Sequence, residues 1–289
     1  MKWFDYAAPA TLDEALRLYA NHPQARLLCG GTDLLVQMRA GRKQTDLVID
    51  VKKVPELNAL EYDAANGLRL GASVACHRIY GSDVVRKNVP SLAETASIIG
   101  GTQIQGRASI GGNLCNAAPS ADAVPLLIAL GARCRIASAQ GTREMPVEEF
   151  CVAPGKNALA AGELLVSLQI PAAAAHSGAH YLRFIPRNEM DIAVVGAGVQ
   201  VVLSNGNFQS ARIALASVAP TPVIAKAAGD SLAGKPVNAA SIAAAAELAK
   251  DAASPITDMR GTAEYRRHLC AVLTRRALEA AVHAAKGTH

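Results

Sequence analysis

Residues 27–41 read LLCGGTDLLVQMRAG: two leucines and a cysteine run into paired glycines, and a threonine and an aspartate then open a new apolar run. The apolar start predicts a short buried strand over ARLLCGG, and TDLLVQMRAG predicts a helix closed by Gly41. Between strand and helix sit two residues without side chains. Paired glycines let the backbone turn through conformations closed to other residues, and they let successive N–H groups converge on one point. Beside a helix N-terminus such a nest holds phosphate oxygens without any charged side chain. A plain tight turn uses the same residues, so this stretch by itself leaves both readings open.

The flanking sequence predicts a small α/β unit. TLDEALRLYANHP begins with Thr11 as helix cap, places Glu14 at capping-box spacing, and puts apolar residues at 12, 15, 16 and 19 on one face. DLVIDV predicts the next strand. Farther on, GLRLGAS reads as strand and SLAETASIIG as a helix stopped by Gly100 and Gly101. A loop-rich stretch then runs to residue 125, followed by PLLIALGA as helix and RCRIASA and LLVSLQIP as strands. Pro171 and AAAAHSGAH read as a linker. Beyond it, DIAVVGAGVQVVL and FQSARIALASVA predict a hairpin closed at Asn205-Gly206, a pair suited to positive φ. Helical patterns follow in TPVIAKAAGDSL, in the Ala-rich AASIAAAAELAKDAA, expected to pack against a sheet, and from about Gly261 to Lys286. Strands first and helices afterwards point to a separate α+β domain.

Composition narrows the function classes. Of 289 residues, 51% are hydrophobic and 18% charged, which is globular composition with room for a substantial core. The net charge of +5 is not gathered into basic runs and aromatics are only 4%, so nothing points to nucleic acid. MKWFDYAAPATLDEA builds no apolar signal core, and no stretch of about 18 uncharged apolar residues offers a membrane span. The six cysteines contain no C-x-x-C and sit near no histidine cluster, which excludes a local zinc or iron–sulfur signature. Free thiols in a reducing cytoplasm are the expected setting.

A second stretch, IIGGTQIQGRASIGGNLCNAAPSADAVP at 98–125, repeats the grammar of the first with Gly100-Gly101-Thr102 and Ser109-Ile110-Gly111-Gly112-Asn113. Two known phosphate motifs fail here. GAGVQV at 196–201 lacks the third glycine of a dinucleotide fingerprint and lies in a strand pattern. GTQIQGRA puts Arg107 at the P-loop lysine and Ala108 at its hydroxyl, leaving magnesium without its ligand. What remains is a pair of plain turns or a site built from two separate glycine pairs, between which the pyrophosphate of a long ligand such as a dinucleotide has room to lie.

CGGTDLLVQMR and ASIGGNLCNAAPSADAVPLLIALGA resemble the two FAD-binding motifs of the flavoprotein subunits of molybdenum hydroxylases. The likeness extends to FDYAAPATLDEAL, FIPRNEMDIAVVGAGV and DMRGTAEYRRHL, and so covers the whole chain. It implies an α+β fold: a p-cresol-methylhydroxylase-type FAD domain in two parts, at 1–60 and 61–175, then a smaller α+β domain at 178–289. It implies FAD as cofactor, with molybdopterin in a large partner subunit and 2Fe–2S clusters in a small one, in a heterotrimer that dimerises. By the same resemblance, Leu28, Cys29, Gly30, Gly31, Thr32, Asp33 and Leu34 form the first cofactor loop, and Ser109, Ile110, Gly111, Gly112 and Asn113 the second. Ile99 and Gly100 pack against the flavin ring, Leu165 sandwiches it, Asp122 takes the adenosine end, and Arg183 stands near the flavin where many relatives have lysine.

No acid, base or nucleophile is expected to be catalytic, because the flavin carries the chemistry. Cys29 is read as a packing residue, His77 and Arg78 as a polar pair at a helix start, and Asp258, Arg260 and the EYRRHL run as ion-paired helix positions or, in preference, a surface for a partner. The alternatives are a self-contained flavin oxidase, against which the low aromatic content weighs, and a non-catalytic assembly protein, against which the intact glycine pairs weigh.

Overall fold

The computed structural model describes residues 2–188 and 190–287. The first unit is β1 (Asp5–Ala7), α1 (Leu12–Asn21), β2 (Arg26–Leu28), α2 (Leu34–Arg39) and β3 (Leu47–Asp50). The three strands pair in parallel in the order β1-β3-β2. The capping box at the start of α1 forms with a one-residue offset. Thr11 accepts from the Glu14 N–H, and the Glu14 carboxylate reaches back to the Ala10 N–H rather than to that of Thr11. Its buried face, Ala15 and Leu16, joins Ile49 and Val51 in one cluster with Leu57, Ala137, Leu164 and Val166. A unit this small gains its stability by sharing a core with the sheet that follows.

That second unit runs through β4 (Leu60–Asp63), β5 (Gly67–Gly71), α3 (Cys76–Tyr80), α4 (Asp83–Asn88), α5 (Pro90–Ser97), α6 (Thr102–Gln105), α7 (Ile110–Asn116) and α8 (Ala123–Ala129). It continues with β6 (Arg133–Ser138), β7 (Gly141–Pro146), β8 (Cys151–Ala153), β9 (Lys156–Asn157) and β10 (Leu164–Ile170). Its five-stranded antiparallel sheet has the order β4-β5-β10-β6-β7. The register between β10 and β6 slips between Leu165 and Ser167. Such a bulge changes which side chains share a face. Leu164 and Val166 join the first unit's core, while Leu165, Leu168 and Ile170 join the helices on the other side.

The third unit consists of β11 (Ser177–Phe184), β12 (Val195–Ser204), β13 (Asn207–Ala216), β14 (Val223–Ile224), α9 (Lys226–Asp230), α10 (Ala239–Ala249) and α11 (Ala263–Ala285). The β12–β13 hairpin turns at Asn205 and Gly206 with φ of 49° and 77°, as the sequence leads one to expect. Helix α11 covers one face of this antiparallel sheet and α8 the other. Two glycines set those distances. A Cβ at Gly178 would lie 2.1 Å from the Ala281 carbonyl oxygen, and one at Gly198 would lie 2.5 Å from the Pro125 carbonyl carbon.

Three expectations fail. The stretch read as loop to residue 125 contains α6 and α7; in α7 the Ser109 cap outweighs the poor helix propensity of Gly111 and Gly112, while α6 is a single uncapped turn. Residues 177–184, assigned in part to a linker, form β11 and pair along their whole length with β12. The Ala-rich α10 packs on α9 and α11, and it is those two helices that meet the sheet. Among the described residues, no helix is long and apolar enough to cross a membrane.

Candidate functional site

Both glycine loops open onto one cleft of about 840 Å³ lying between the first and second units. The first loop leaves β2, passes Cys29 to Asp33 and enters α2. Gly31 takes φ of 78°, the left-handed region that favours glycine. Gly30 has a different reason. A Cβ there would lie 2.1 Å from the Arg107 carbonyl oxygen, and the Arg107 Nε–H donates to the Gly30 carbonyl at 3.3 Å. Gly30 therefore lets the segment leading into the second motif lie directly against the first. A further link closes the pair of loops behind them, where the Gln37 amide on α2 donates to Asn116 Oδ1 on α7 at 3.0 Å.

The second loop is the start of α7. Ser109 caps it, its hydroxyl accepting from the Gly112 N–H at 3.0 Å. Gly111 is a packing residue, since a Cβ would lie 2.5 Å from Ala72 Cα just past β5. Gly112 faces open space: an added Cβ would meet only Ser109 Oγ, at 3.0 Å. Among the described residues, the N–H groups of Gly30, Gly31, Thr32 and Asp33 reach no acceptor, and neither does that of Gly111. Buried or half-buried backbone donors in that state are either hydrated or reserved for a ligand. Replacing Ser109 by Ala should cost about 1 kcal/mol of stability, read as a lower urea midpoint with an unchanged slope.

Most of the sequence-derived candidates line this cleft: Cys29 to Leu34, Ile99, Gly100, Ser109, Gly111 to Asn113, Asp122 and Leu165. Three do not. Leu28 packs with Met38 and Val48 in a small core, and the Ile110 side chain is fully buried among the helices. Arg183 lies behind the cleft wall, with its side chain only 9% exposed and Nη1 2.6 Å from Asp122 Oδ2. Tyr181 donates to the other Asp122 oxygen at 2.8 Å. This corrects the expectation that Asp122 and Arg183 serve opposite ends of an extended ligand. Burial pushes the Asp122 carboxyl up, against the pull of Arg183 and the Tyr181 hydroxyl, and burial lifts the Tyr181 phenol well above its ordinary range.

The thiols fit packing roles. All six cysteines are free. Cys29 accepts from Ser73 Oγ at 3.1 Å, and burial raises its pKa despite that bond. The Cys76, Cys134 and Cys270 thiols are pushed up to about 12 by burial. At pH 8 their thiolate fraction falls by on the order of a thousandfold relative to an ordinary cysteine. Iodoacetamide should leave these three unlabelled in the native protein while labelling them readily in urea.

Asp258 and Arg266 are ion-paired at 2.7 Å, and the Arg266 guanidinium also donates to the Val194 and Ser217 carbonyls. Arg266 belongs to the interior, at 4% exposed, which is the ion-paired reading of that position, while Asp258, Glu264, Tyr265, Arg267 and His268 remain on the surface. Sequence reasoning missed Tyr19, Arg26, Gln37, Lys43 and Asn116, all in the cleft wall. Single polar residues at a strand start or after a helix carry no periodic signal that separates them from surface positions. Among the described residues, no group of three or more His, Cys, Asp or Glu side chains is arranged to hold a metal ion.

Comparison with known proteins agrees with this geometry. Residues 2–173 match the FAD binding domain in molybdopterin dehydrogenase, and residues 180–281 match the CO dehydrogenase flavoprotein C-terminal domain. The chain is 33% identical over 288 residues to the xanthine dehydrogenase FAD-binding subunit of Escherichia coli O157:H7, covering 98% of this chain and 99% of the relative. It is 31% identical over 279 residues to the carbon monoxide dehydrogenase medium chain of Hydrogenophaga pseudoflava, covering 96% of each. Carbon monoxide dehydrogenase from that organism, in a form lacking the Mo-pyranopterin moiety, superposes with a TM-score of 0.93 at 32% identity over 97% of each chain. Quinoline 2-oxidoreductase from Pseudomonas putida 86 superposes with a TM-score of 0.91 at 32% identity over 99% of each. Two glycine loops on one cleft, in a chain matched nearly end to end, make this protein a member of the FAD-binding family of molybdopterin dehydrogenases, an oxidoreductase flavoprotein subunit of the medium-chain type.

Proposed function

We propose that this chain is the electron relay of a heterotrimeric molybdenum hydroxylase, taking electrons from the 2Fe–2S clusters of a small subunit and passing them to an external acceptor. A large subunit would oxidise the organic substrate at molybdopterin. The domain division at 1–60, 61–175 and 178–289 and the pairing of two trimers belong to the same proposal. The observation that carries the reading is the convergence of two loops, far apart in sequence, whose free N–H groups line one cleft.

The fit to FAD rests on those donors. The backbone of Gly30 to Asp33 and of Ser109 to Asn113 would hold the pyrophosphate from two sides, as oriented amides do for phosphate elsewhere. Ile99, Gly100 and Leu165 supply the small and apolar surface a flavin ring needs. Asp122 would accept from a hydroxyl of the cofactor, with Arg183 acting through Asp122. Bound FAD supplies the redox chemistry; the chain's own work is to bind, orient and exclude water. No side chain is assigned a proton-transfer step.

The test is isolation of the native complex. The expected preparation is yellow, releases FAD on denaturation, and contains molybdenum and iron in two accompanying chains. A well-folded preparation carrying FMN, or FAD with no metal-bearing partner, would defeat the relay assignment.

A further inference from the structure

The first unit brings two cations to the cleft without giving either an anion. Arg26 opens β2, Lys43 follows α2, and both line the cleft wall. Among the described residues, neither side chain has an ion-pair partner within 4.0 Å, and Arg26 Nε is sealed from solvent with no hydrogen-bond partner. The two act on each other. Burial, and then the charge of Arg26, lower the Lys43 ammonium pKa, while only the Asp33 carboxylate pulls it back up. Asp33 is itself driven toward its neutral form by burial. Like charges held in a partly desolvated wall repel, and a sealed donor without an acceptor costs further stability. A bound anion in the cleft relieves the repulsion between the two cations.

We propose that Arg26 and Lys43 form a second anion site in the cleft, which takes the adenosine-side phosphate of the dinucleotide and makes this chain select FAD over a mononucleotide flavin. The inference rests on the FAD reading above. The direction of the ligand follows from the lining. The apolar surface suited to a flavin ring comes from the second unit, at Ile99, Ile104 and Leu165. The cations come from the first. The amide loops come one from each unit, and so a diphosphate held between them leads from one unit to the other. FMN ends at its single phosphate and has no second group for the cations. Arginine is suited to bidentate phosphate contact, and lysine adds a point charge.

The test uses the full chain, with any accompanying subunits, stripped of flavin and titrated with FAD, FMN and ADP. In Arg26→Gln and Lys43→Gln, affinity for FAD and for ADP should fall about 10- to 100-fold each, with FMN affinity unchanged. The dependence of FAD binding on salt should weaken in both variants. Without ligand, removing one of two repelling charges should hold or raise the unfolding midpoint, so the variants lose the ligand's stabilisation and nothing else. Unchanged ADP affinity would overturn the site, as would an equal loss for FMN. A clear fall in the ligand-free midpoint of both variants would also overturn it, by making the cations structural. If the parent chain binds no FAD at all, the cofactor reading fails with it; if parent and variants bind FAD alike, only the cation site fails.

Discussion

Gly112→Val should give a folded protein that no longer retains FAD. The position is a glycine in this cleft whose added Cβ meets no backbone: the built atom meets only the Ser109 hydroxyl, the cap of α7, at 3.0 Å, so that cap must give by a few tenths of an ångström, and Gly112 lies on the cleft wall. Valine is no worse a helix residue than glycine, so α7 loses little on propensity. The branched side chain would stand on the cleft wall beside the Gly111 N–H. A hydrogen bond to a charged partner contributes about 1.5–3 kcal/mol, so losing it weakens cofactor affinity on the order of 10- to 10²-fold. Gly112→Ala should fall between parent and valine. The neighbouring glycines do not provide the same test. Gly111→Val collides with Ala72 backbone at 2.5 Å, and Gly31→Val forces a branched residue to φ of 78°. Both would lose flavin by damaging the fold. The measurement is flavin per chain after gel filtration, beside a urea unfolding curve of the stripped protein. Parental flavin content in Gly112→Val, with the curve also unchanged, would remove the pyrophosphate from this position.

The glycine loops were legible because backbone geometry leaves a mark in sequence. Where a chain must reach positive φ or let two backbones touch, few residues but glycine serve, and Gly30, Gly31 and Gly111 each meet such a demand. What the sequence did not distinguish was why each glycine is there. Two of those three serve packing against Arg107 and Ala72, and they look the same as Gly112, which serves open space. Strand β11 was lost for a related reason. Its first residues, Ser177 to His180, are small or polar, and their pairing with β12 depends on α11 approaching over Gly178, a contact made across the chain. The cationic pair Arg26 and Lys43 left no mark, since charge alone does not reveal whether a side chain faces solvent or a cleft.

The second large effect concerns the joint between the second and third units. Asp122 precedes α8, and Arg183 lies on β11; the two meet with side chains 12% and 9% exposed. Breaking a buried pair from one side leaves the other charge unpaired and costs about 3–5 kcal/mol, whereas replacing both partners is often near neutral. Asp122→Asn and Arg183→Met should therefore each lower stability by about 3–5 kcal/mol, and the double variant should lose less than either. Burial already raises the Asp122 carboxyl pKa even with Arg183 and Tyr181 against it, which indicates that desolvation offsets much of what the pair gains. Urea midpoints of the four proteins close the cycle. Additive losses would mean that each residue acts alone. Flavin content separates joint from ligand: if the double variant is stable yet loses FAD, Asp122 holds the cofactor directly. If it is stable and stays yellow, the pair fastens β11 to the cleft wall, the guanidinium binding the carboxylate behind the wall and leaving the cleft itself uncharged there.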